Sequence, residues 1–293
     1  MQTGLMLNAD AIRGSAIADC GRQAEALGIH TIWVPEIFGR EPFVTAASLL
    51  AATQAVRVGT AIANVYVRDA MATRAAAATL SDIFDDRFSL GLGVSNVVGN
   101  KLRGHDWLPP VEKLTRYFDA MDAWQLGFKA EGNPPVYLAA HGPKLVDFAS
   151  ERTDGVFMYL STSSYIAEAA SVLGSKALMV MQPVAVHEDI AAARKMARRA
   201  VAIYTDLPNY QRAWKAQGFE PADYENGPSD KLLDALVALG PLERVQEKLA
   251  EREAAGATGV IIIPLNLQSA EAEDRGGIAR APDWDILGRL LSV

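Results

Sequence analysis

The stretch Val56-Arg-Val-Gly-Thr-Ala-Ile-Ala-Asn-Val-Tyr-Val-Arg68 begins with the pattern of a buried strand and ends with the pattern of a polar loop. β-Branched residues occupy every second position from Val56 to Ile62, which predicts a strand over residues 56–63. A buried strand that opens into polar groups predicts a functional surface at its carboxyl end. The polar side chains in question also follow at every second position and are Asn64, Tyr66 and Arg68.

The composition is typical of a globular chain that is long enough for one large α/β domain, predicted over residues 1–293. The 293 residues are 50% hydrophobic and 22% charged, and the net charge of −7 comes from 28 basic and 35 acidic residues scattered along the chain. This distribution argues against a nucleic-acid-binding surface. An anionic ligand must therefore be held by local groups.

Membrane and export signals are not seen in the sequence. No stretch approaches the ~20 apolar residues of a membrane span, and the first ten residues lack an export pattern. The only cysteine, Cys20, cannot form an internal disulfide, which suits a reducing compartment. We therefore expect a cytoplasmic protein that makes no contact with membranes.

Short apolar strands alternate with helical patterns along the chain, which predicts a parallel sheet with crossover helices. Eight strands are predicted, over residues 3–8, 31–35, 56–63, 88–94, 135–140, 155–160, 177–185 and 259–265. The helix after the first strand should end at Gly28, and others are predicted over residues 42–55, 70–84, 110–126, 143–152, 164–173 and 241–255. Eight such units favour a closed (β/α)8 TIM barrel.

An open Rossmann sheet is the rival architecture, because Gly91-Leu-Gly93 resembles part of its glycine fingerprint. These glycines lie inside a strand, however, and the third glycine position is Asn96. Residues 186–258 are too long for one crossover and are predicted to form a helical insertion between strands seven and eight, with helices at 188–205, 210–217 and 229–239. Residues 266–282 are predicted to form a mobile loop, and residues 283–291 a final helix.

In a barrel of this kind the reactive groups lie at the carboxyl ends of the strands. No lysine ends a strand, which excludes Schiff-base aldolase chemistry, and the four histidines lack the paired spacing of a metal site. Amides, hydroxyls and one carboxylate suit hydrogen bonding to a bound heterocycle, so we expect a cofactor to supply the chemistry. The strand-end residues are Asn8, Glu36, Asn64, Ser95, Asn96, His141, Tyr159, Ser161, Gln182 and Asn266.

The segment Ala140-His-Gly-Pro143 is the best candidate for an anion site. A strand ends at Ala140 and a helix begins at Pro143, where a proline has no N–H to leave unpaired. The N–H groups of the first turn and the helix dipole attract anions, and Gly142 lets a phosphate approach the backbone. An ordinary turn that contains glycine and proline for geometry alone is the alternative.

Three segments resemble motifs of the luciferase-like family of flavin- and deazaflavin-dependent oxidoreductases. Residues 86–95 resemble its fourth strand, G-R-F-x-L-G-L-G-x-S, with Asp86 in the glycine place. Residues 64–68 resemble N-P-Y-x-R, with Val65 in place of proline. Residues 135–144 and 154–155 resemble the P-x-Y-x-A-A-x-G-P-K…D-G segment of methylenetetrahydromethanopterin reductases and glucose-6-phosphate dehydrogenases that use coenzyme F420.

The resemblance covers about residues 4–265 and implies specific site residues. In the family the third strand carries a bulge with a non-proline cis peptide that backs the cofactor ring, and the matching bond here is Ala61–Ile62. Many relatives place a histidine after the acid that follows strand two, where this chain has Ile37. Glu36 and Asn96 are predicted as catalytic residues. The predicted cofactor-binding residues are Asn8, Ala61, Ile62, Asn64, Ser95, Ala140, His141, Gly142, Pro143 and Tyr159.

The resemblance implies an oxidoreductase that transfers a hydride between coenzyme F420 and a small organic substrate. One alternative is an FMN-dependent monooxygenase that receives reduced flavin from a partner flavin reductase. A second is a catalytically silent flavin-binding protein, which the missing family histidine would allow. Relatives of this kind are commonly dimers, so a homodimer is expected.

Overall fold

The structure, a computed structural model, describes residues 1–265 and 282–292. Every strand pair within this part of the chain is parallel, and β10 pairs with both β1 and β8. The sheet is therefore closed, and the fold is a TIM barrel, as the alternation of strands and helices predicted. Its strands are β1 Gln2–Met6, β2 Thr31–Val34, β3 Arg57–Thr60, β4 Ala63–Asn64, β5 Phe88–Gly93, β6 Val136–Ala139, β7 Gly155–Tyr159, β8 Ala177–Val186, β9 Ala238–Gly240 and β10 Gly259–Pro264.

The helices surround the barrel in the predicted order. Gly28 has a φ of +72°, the left-handed conformation that suits a glycine after a helix. The predicted loop over residues 266–282 lies outside the described residues, apart from Pro282. The helices are α1 Ile17–Ala26, α2 Pro42–Ala52, α3 Ala70–Ile83, α4 Val97–Leu102, α5 Pro110–Ala123, α6 Pro143–Arg152, α7 Ser163–Leu173, α8 Ile190–Thr205, α9 Pro208–Ala216, α10 Asp230–Leu236, α11 Leu242–Ala254 and α12 Trp284–Leu291.

Two local predictions of secondary structure need correction. The predicted helix over residues 229–239 ends at Leu236, and Ala238–Gly240 forms β9 because β8 extends to Val186 and offers a free edge for pairing. Helix α4 was not predicted.

No helix in the described part of the chain is long and apolar enough to cross a membrane.

The third predicted strand is divided into two pieces, β3 and β4, by Ala61 and Ile62. Gly59 pairs with Ser89 and Ala63 with Leu92, so four steps along this strand match three along β5. The stretch from β3 to β4 therefore contains one residue more than the part of β5 that it faces, which defines a β-bulge. The Thr60 hydroxyl donates to the Gly91 carbonyl at 2.7 Å and bridges the interrupted pairing, and the Ala61–Ile62 peptide bond is cis.

Trp33 fills the barrel interior below this bulge. Its side chain is 2% exposed and crosses the ring of Phe157 edge to face, with the ring centroids 4.9 Å apart. A Cβ on Gly59 would lie 2.5 Å from the Trp33 ring, and one on Gly4 would lie 2.8 Å from it. Glycines on the two neighbouring strands therefore make room for the indole, because no larger residue could pack there.

The segment 186–258 packs on the carboxyl end of β7 and has its own apolar core. Trp214, which is fully buried, is part of this core and donates from Nε1 to the carbonyl of Leu160 at 3.3 Å. The Gln217 side chain accepts the backbone N–H of Thr162 at 2.7 Å. These contacts place α8 and α9 above one side of the barrel opening.

Arg252, in α11, joins this helix to the barrel and to α10. Its guanidinium is fully buried and donates to Gln182 Oε1, Ser163 Oγ and the Ala235 carbonyl, at 2.8 to 2.9 Å. These residues belong to β8, α7 and α10. All three acceptors are uncharged, and burial lowers the pKa of Arg252 to about 10, so the side chain remains a cation at neutral pH.

We predict that Arg252→Ala lowers the free energy of unfolding by about 2–4 kcal/mol, because two or more buried acceptors lose their donor and a cavity forms. The control is Arg116→Ala, which removes an exposed arginine from a surface pair with Glu112 and should cost less than about 0.5 kcal/mol. Urea denaturation of both variants measures the difference. Equal urea midpoints for the two variants would show that the buried Arg252 guanidinium stabilises the fold no more than an exposed arginine does.

Candidate functional site

A cavity of about 530 Å³ opens at the carboxyl ends of the barrel strands. Strand ends form its floor, and α8, α9 and the loop between them form one wall. Its lining is mostly apolar, with side chains such as Ile62, Val94, Trp107 and Met181. Such a cavity, largely apolar with a few polar groups, has the composition of a small-molecule or cofactor site.

Eight of the twelve predicted site residues line this cavity, and four do not. Ala140 is fully buried behind the wall, whereas Gly142 and Pro143 lie just beyond the lining residue His141. Asn64 is also absent from the lining. The eight that line it are Asn8, Glu36, Ala61, Ile62, Ser95, Asn96, His141 and Tyr159.

Asn64 braces the wall instead of facing the cavity. Its amide donates to Asn100 Oδ1 at 2.8 Å and accepts the Tyr66 N–H at 3.0 Å, so both ends of the side chain are used within the protein. The Asn100 amide in turn donates to the Val94 carbonyl at 2.7 Å. Asn64 was predicted to contact the cofactor, but its side chain is 4% exposed and already hydrogen-bonded. In the structure it links the bulge to α4.

Tyr66 and Arg68 also turn away from the cavity. Tyr66 stacks on Trp107 with the ring centroids 5.7 Å apart, and its hydroxyl accepts the Leu108 N–H at 3.0 Å. Trp107 itself lines the cavity, so Tyr66 supports the wall from behind. The polar loop that the sequence predicted as a functional surface therefore shapes the site without facing it.

Glu36 is held by a bidentate ion pair. Its two carboxylate oxygens accept from the two terminal nitrogens of Arg68, both at 2.9 Å, and one oxygen also accepts the Asn64 N–H at 2.7 Å. The two side chains are 7% and 16% exposed. A carboxylate with these partners is a poor general base, so the geometry favours a positioning role over the predicted catalytic one.

Asn96 and Ser95 form the turn that begins α4. The Asn96 Oδ1 accepts the Gly99 N–H at 2.8 Å and caps the helix, while Ser95 has a φ of +56°. The cap fixes Asn96 at the cavity edge and leaves its amide N–H₂ group for a ligand. Asn96, directly ahead of Val97 and Val98, was the N-cap signal in the sequence from which α4 could have been predicted.

The turn before α6 leaves an unobstructed helix N-terminus at the rim of the cavity. Gly142 is the N-cap, has no side chain to cap the helix, and a Cβ placed on it would have no atom within 4 Å. Its φ of −151° is open to any residue, so the backbone does not require glycine there. The open space beside Gly142 thus leaves the helix N-terminus accessible, as an anion site requires.

His141 adds no positive charge to this turn. Its ring lies against Tyr210, with the centroids 4.8 Å apart. Burial lowers the pKa of the imidazole to about 4, so it is neutral at physiological pH. An anion bound here would therefore rely on backbone N–H groups and on the exposed Lys144.

Sequence reasoning missed the residues that the 186–258 segment contributes to the cavity, among them Ile203, Tyr204, Leu207 and Tyr210. They lie near the end of α8 and the start of α9, and no motif marks them. Their position depends on how the segment folds back over the barrel, which the pattern of apolar residues does not specify.

We predict that Glu36→Gln lowers the free energy of unfolding by about 3 kcal/mol, because it leaves the largely buried Arg68 without its main counter-charge. Glu41→Gln is the matched control, since Glu41 contacts the same guanidinium at 2.6 Å but is 42% exposed. That variant should cost less than about 1 kcal/mol. Chemical denaturation decides between them, and similar losses for both would contradict the assignment of Glu36 as the main partner.

We predict that His141 makes stability fall as the pH drops from 6.5 to about 4. In this window the unfolded chain binds a proton that the folded chain excludes, so protonation favours unfolding, by on the order of 2 kcal/mol at the acid end. His141→Gln should flatten this part of the profile, whereas His187→Gln, at an exposed position, controls for loss of a histidine. An unchanged profile in His141→Gln would refute the prediction.

Comparison with known proteins identifies relatives with named activities. A 5,10-methylenetetrahydromethanopterin reductase of Archaeoglobus fulgidus is 22% identical over 286 residues, covering 81% of this chain and 86% of the relative. The protein of the same name from Methanolobus tindarius is 29% identical over 164 residues, and this match spans half of either chain.

Solved structures share the fold. The coenzyme F420-dependent tetrahydromethanopterin reductase of Methanopyrus kandleri superposes with a TM-score of 0.73 at 17% identity, covering 99% of this chain and 96% of that one. The oxygenating component of 3,6-diketocamphane monooxygenase from Pseudomonas putida, in complex with FMN, gives 0.68 at 14% identity over 96% and 99%.

A family model described as luciferase-like monooxygenase matches residues 1–259. The match runs from before β1 to the first residue of β10 and so includes the strand ends that form the cavity floor, apart from that of β10. The chain therefore belongs to the luciferase-like monooxygenase family.

Proposed function

We propose that this protein is an oxidoreductase that transfers a hydride between coenzyme F420 and a small organic substrate. The observation that carries the proposal is an apolar cavity at the barrel mouth whose rim holds the side-chain-free helix N-terminus at Gly142. A deazaflavin joins an uncharged ring to a phosphate, so it needs both an apolar wall and an anion site. Both features occur side by side here.

The residues present fit such a group. Ala61 and Ile62 offer an apolar wall, and the amide of Asn96 offers a hydrogen-bond donor at the cavity edge. The backbone at Gly142 and Lys144 would hold the phosphate, where a side chain on residue 142 would take up the open space. When bound, the cofactor would supply the hydride, and the chain supplies the binding surfaces.

The preference for F420 over FMN rests on the named activities of the relatives and on the open rim. F420 carries an anionic tail beyond its phosphate, and the unobstructed turn leaves that tail a path to solvent. The net charge of −7 offers the tail no general attraction. Lys144 and the exposed Arg212, which also lines the cavity, are the local cations that would compensate.

An FMN-dependent monooxygenase is the second candidate, because a neighbour in fold binds FMN. This function would require a partner flavin reductase. The third, a catalytically silent flavin-binding protein, is compatible with the ion-paired Glu36 and with Ile37 in the family histidine position. A homodimer and a cytoplasmic location remain part of the proposal.

The cavity lining favours a substrate without net charge. Among its described residues, Glu36 is neutralised by Arg68, His141 is neutral, and Arg212 lies at an exposed position. An anionic sugar phosphate would find no buried cation, so we propose an uncharged small organic molecule as the electron acceptor or donor.

We predict that the apo-protein binds F420 more tightly than FMN, and that Gly142→Val weakens F420 binding about tenfold, or ~1.4 kcal/mol. Gly127→Val is the matched control, since its Cβ would also meet no atom within 4 Å and the residue lies in the link from α5 to β6, outside the cavity lining. Fluorescence titrations at fixed ionic strength measure both cofactors.

Each alternative has its own outcome. Tighter FMN binding, with oxygen consumption when reduced FMN is supplied, would replace F420 by the monooxygenase function. Tight binding without turnover of any electron acceptor would favour the silent protein. Unchanged F420 affinity in folded Gly142→Val would move the phosphate to another turn.

A further inference from the structure

The proposed cofactor would cover only one side of the cavity floor. The apolar wall at Ala61 and Ile62 lies between β3 and β4, and the anion turn at Gly142 follows β6, with β5 between them in the sheet. In the closed barrel β10 and β1 lie across from β5 and β6. A substrate that meets the cofactor ring therefore borders the other side, formed by the ends of β8, β10, β1 and β2, which we call the substrate side.

Polar groups are scarce on the substrate side. The described cavity residues there belong to these four strands or to the loops directly after β1, β2 and β10, and only Asn8 and Glu36 among them have polar side chains. Glu36 is ion-paired with Arg68. The others are apolar, as Met181 and Ile263 are. Within the described lining of this side, Asn8 is thus the uncharged hydrogen-bonding group that a ligand can reach.

The remaining polar residues of the described lining lie near β5, β6 and β7. Ring contacts place Tyr210 against His141, just after β6, with the centroids 4.8 Å apart. They also place Tyr204 against Tyr159, at the end of β7, with the centroids 5.3 Å apart. The others are Ser95 and Asn96, directly after β5, and Asn209 and Arg212, which share α9 with Tyr210.

Asn8 is held by the turn that follows β1. Its Oδ1 accepts the Asp10 N–H at 3.3 Å and so caps the short 3-10 helix Ala9–Ala11. Because the oxygen is used in this bond, the amide N–H₂ group is the half of the side chain that remains for the cavity. No acceptor for this group occurs in the described part of the chain. The free half of the amide is a donor, so it suits a ligand oxygen that accepts a hydrogen bond.

Arg40 fixes this turn from the neighbouring loop. Its guanidinium donates to the carbonyls of Ala9 and Ile12, both at 2.9 Å, and its backbone N–H donates to Asp10 Oδ1. These bonds join the loop after β2 to both ends of the turn that begins at Asn8. The amide is therefore positioned before a ligand binds, which reduces the entropy lost on binding.

We propose that Asn8 recognises the substrate by donating a hydrogen bond to a carbonyl oxygen, and that Arg40 is its positioning residue. The sequence predicted Asn8 as a cofactor contact, and we assign it to the substrate because of its place across the barrel. This proposal rests on the proposed function. It narrows the uncharged substrate to a carbonyl compound with an otherwise apolar body, or to the alcohol that corresponds to it. An apolar compound without such an oxygen would leave the amide without a partner.

The test compares two probes of nearly the same shape, 4-fluoroacetophenone and 4-fluoro-α-methylstyrene, in which C=CH₂ replaces C=O. Fluorine NMR titration measures the affinity of the apo-protein for each probe. We expect Asn8→Leu to weaken binding of the ketone about fivefold, since one hydrogen bond between neutral groups is lost. The same variant should leave binding of the alkene within about twofold, so the ratio of the two affinities falls.

Asn209→Leu is the matched control, because Asn209 also lines the cavity but lies in α9. It should leave the ratio within about twofold. Arg40→Gln should lower the ratio by a smaller factor than Asn8→Leu does, since the amide is present but less well fixed. A general loss of stability would weaken both probes alike and would not move the ratio. Circular dichroism confirms that each variant is folded.

Two results would overturn the proposal. One is an unchanged ratio in folded Asn8→Leu, which would show that the amide does not contact the ketone. The other is a parent protein that does not bind the ketone.

Titration with F420 separates this proposal from the proposed function. We expect Asn8→Leu to bind F420 like the parent protein, and the parent protein to bind the ketone when it is saturated with F420. If Asn8→Leu loses affinity for F420, or if F420 displaces the ketone, Asn8 contacts the cofactor and the assignment is wrong. If the parent protein fails to bind F420 but its ketone binding still depends on Asn8, the proposed function fails and recognition by Asn8 stands.

Discussion

The ion pair between Glu36 and Arg68 is the interaction on which the candidate site depends. The Glu36 carboxylate lies just after β2 and accepts hydrogen bonds from both the Arg68 guanidinium and the Asn64 N–H. These contacts fix the position of β4 in addition to its strand pairing. Ala61 and Ile62 lie between the two fixed ends and project into the cavity. Without a partner for Arg68, the bulge would keep its extra residue but lose the contact that sets its position.

The bulge, α4 and the loop before α5 form one connected support. Asn64 bonds to Asn100 in α4, and Tyr66 stacks on Trp107 and accepts a hydrogen bond from Leu108. The hydrogen bonds satisfy buried polar groups, and the stacking on Tyr66 holds Trp107 in the cavity wall. A cofactor ring bound at the bulge would therefore rest on a surface fixed before binding, which reduces the entropy lost on association.

The 186–258 segment completes the cavity on the other side and is attached by hydrogen bonds. Trp214 and Gln217 tie it to the end of β7, and Arg252 joins α10 to β8 and α7. This attachment brings Tyr204 against Tyr159, a pair from two elements that are distant in sequence. The cavity thus depends on the insertion as much as on the barrel.

The sequence by itself determined the barrel, because the features that define its strands and helices are local. Apolar strand patterns, the helix-ending Gly28 and the helix-starting Pro143 each depend only on the few residues around them. It also indicated most of the cavity floor, since parallel strands in a closed sheet must end on the same side. Only the tertiary structure decided that Asn64 and Arg68 turn away from the cavity and that Glu36 is ion-paired, because Glu36 and Arg68 lie 32 positions apart. The tyrosine pair depends likewise on the packing of α8 over β7, and contacts between distant elements leave no periodic pattern in a single sequence.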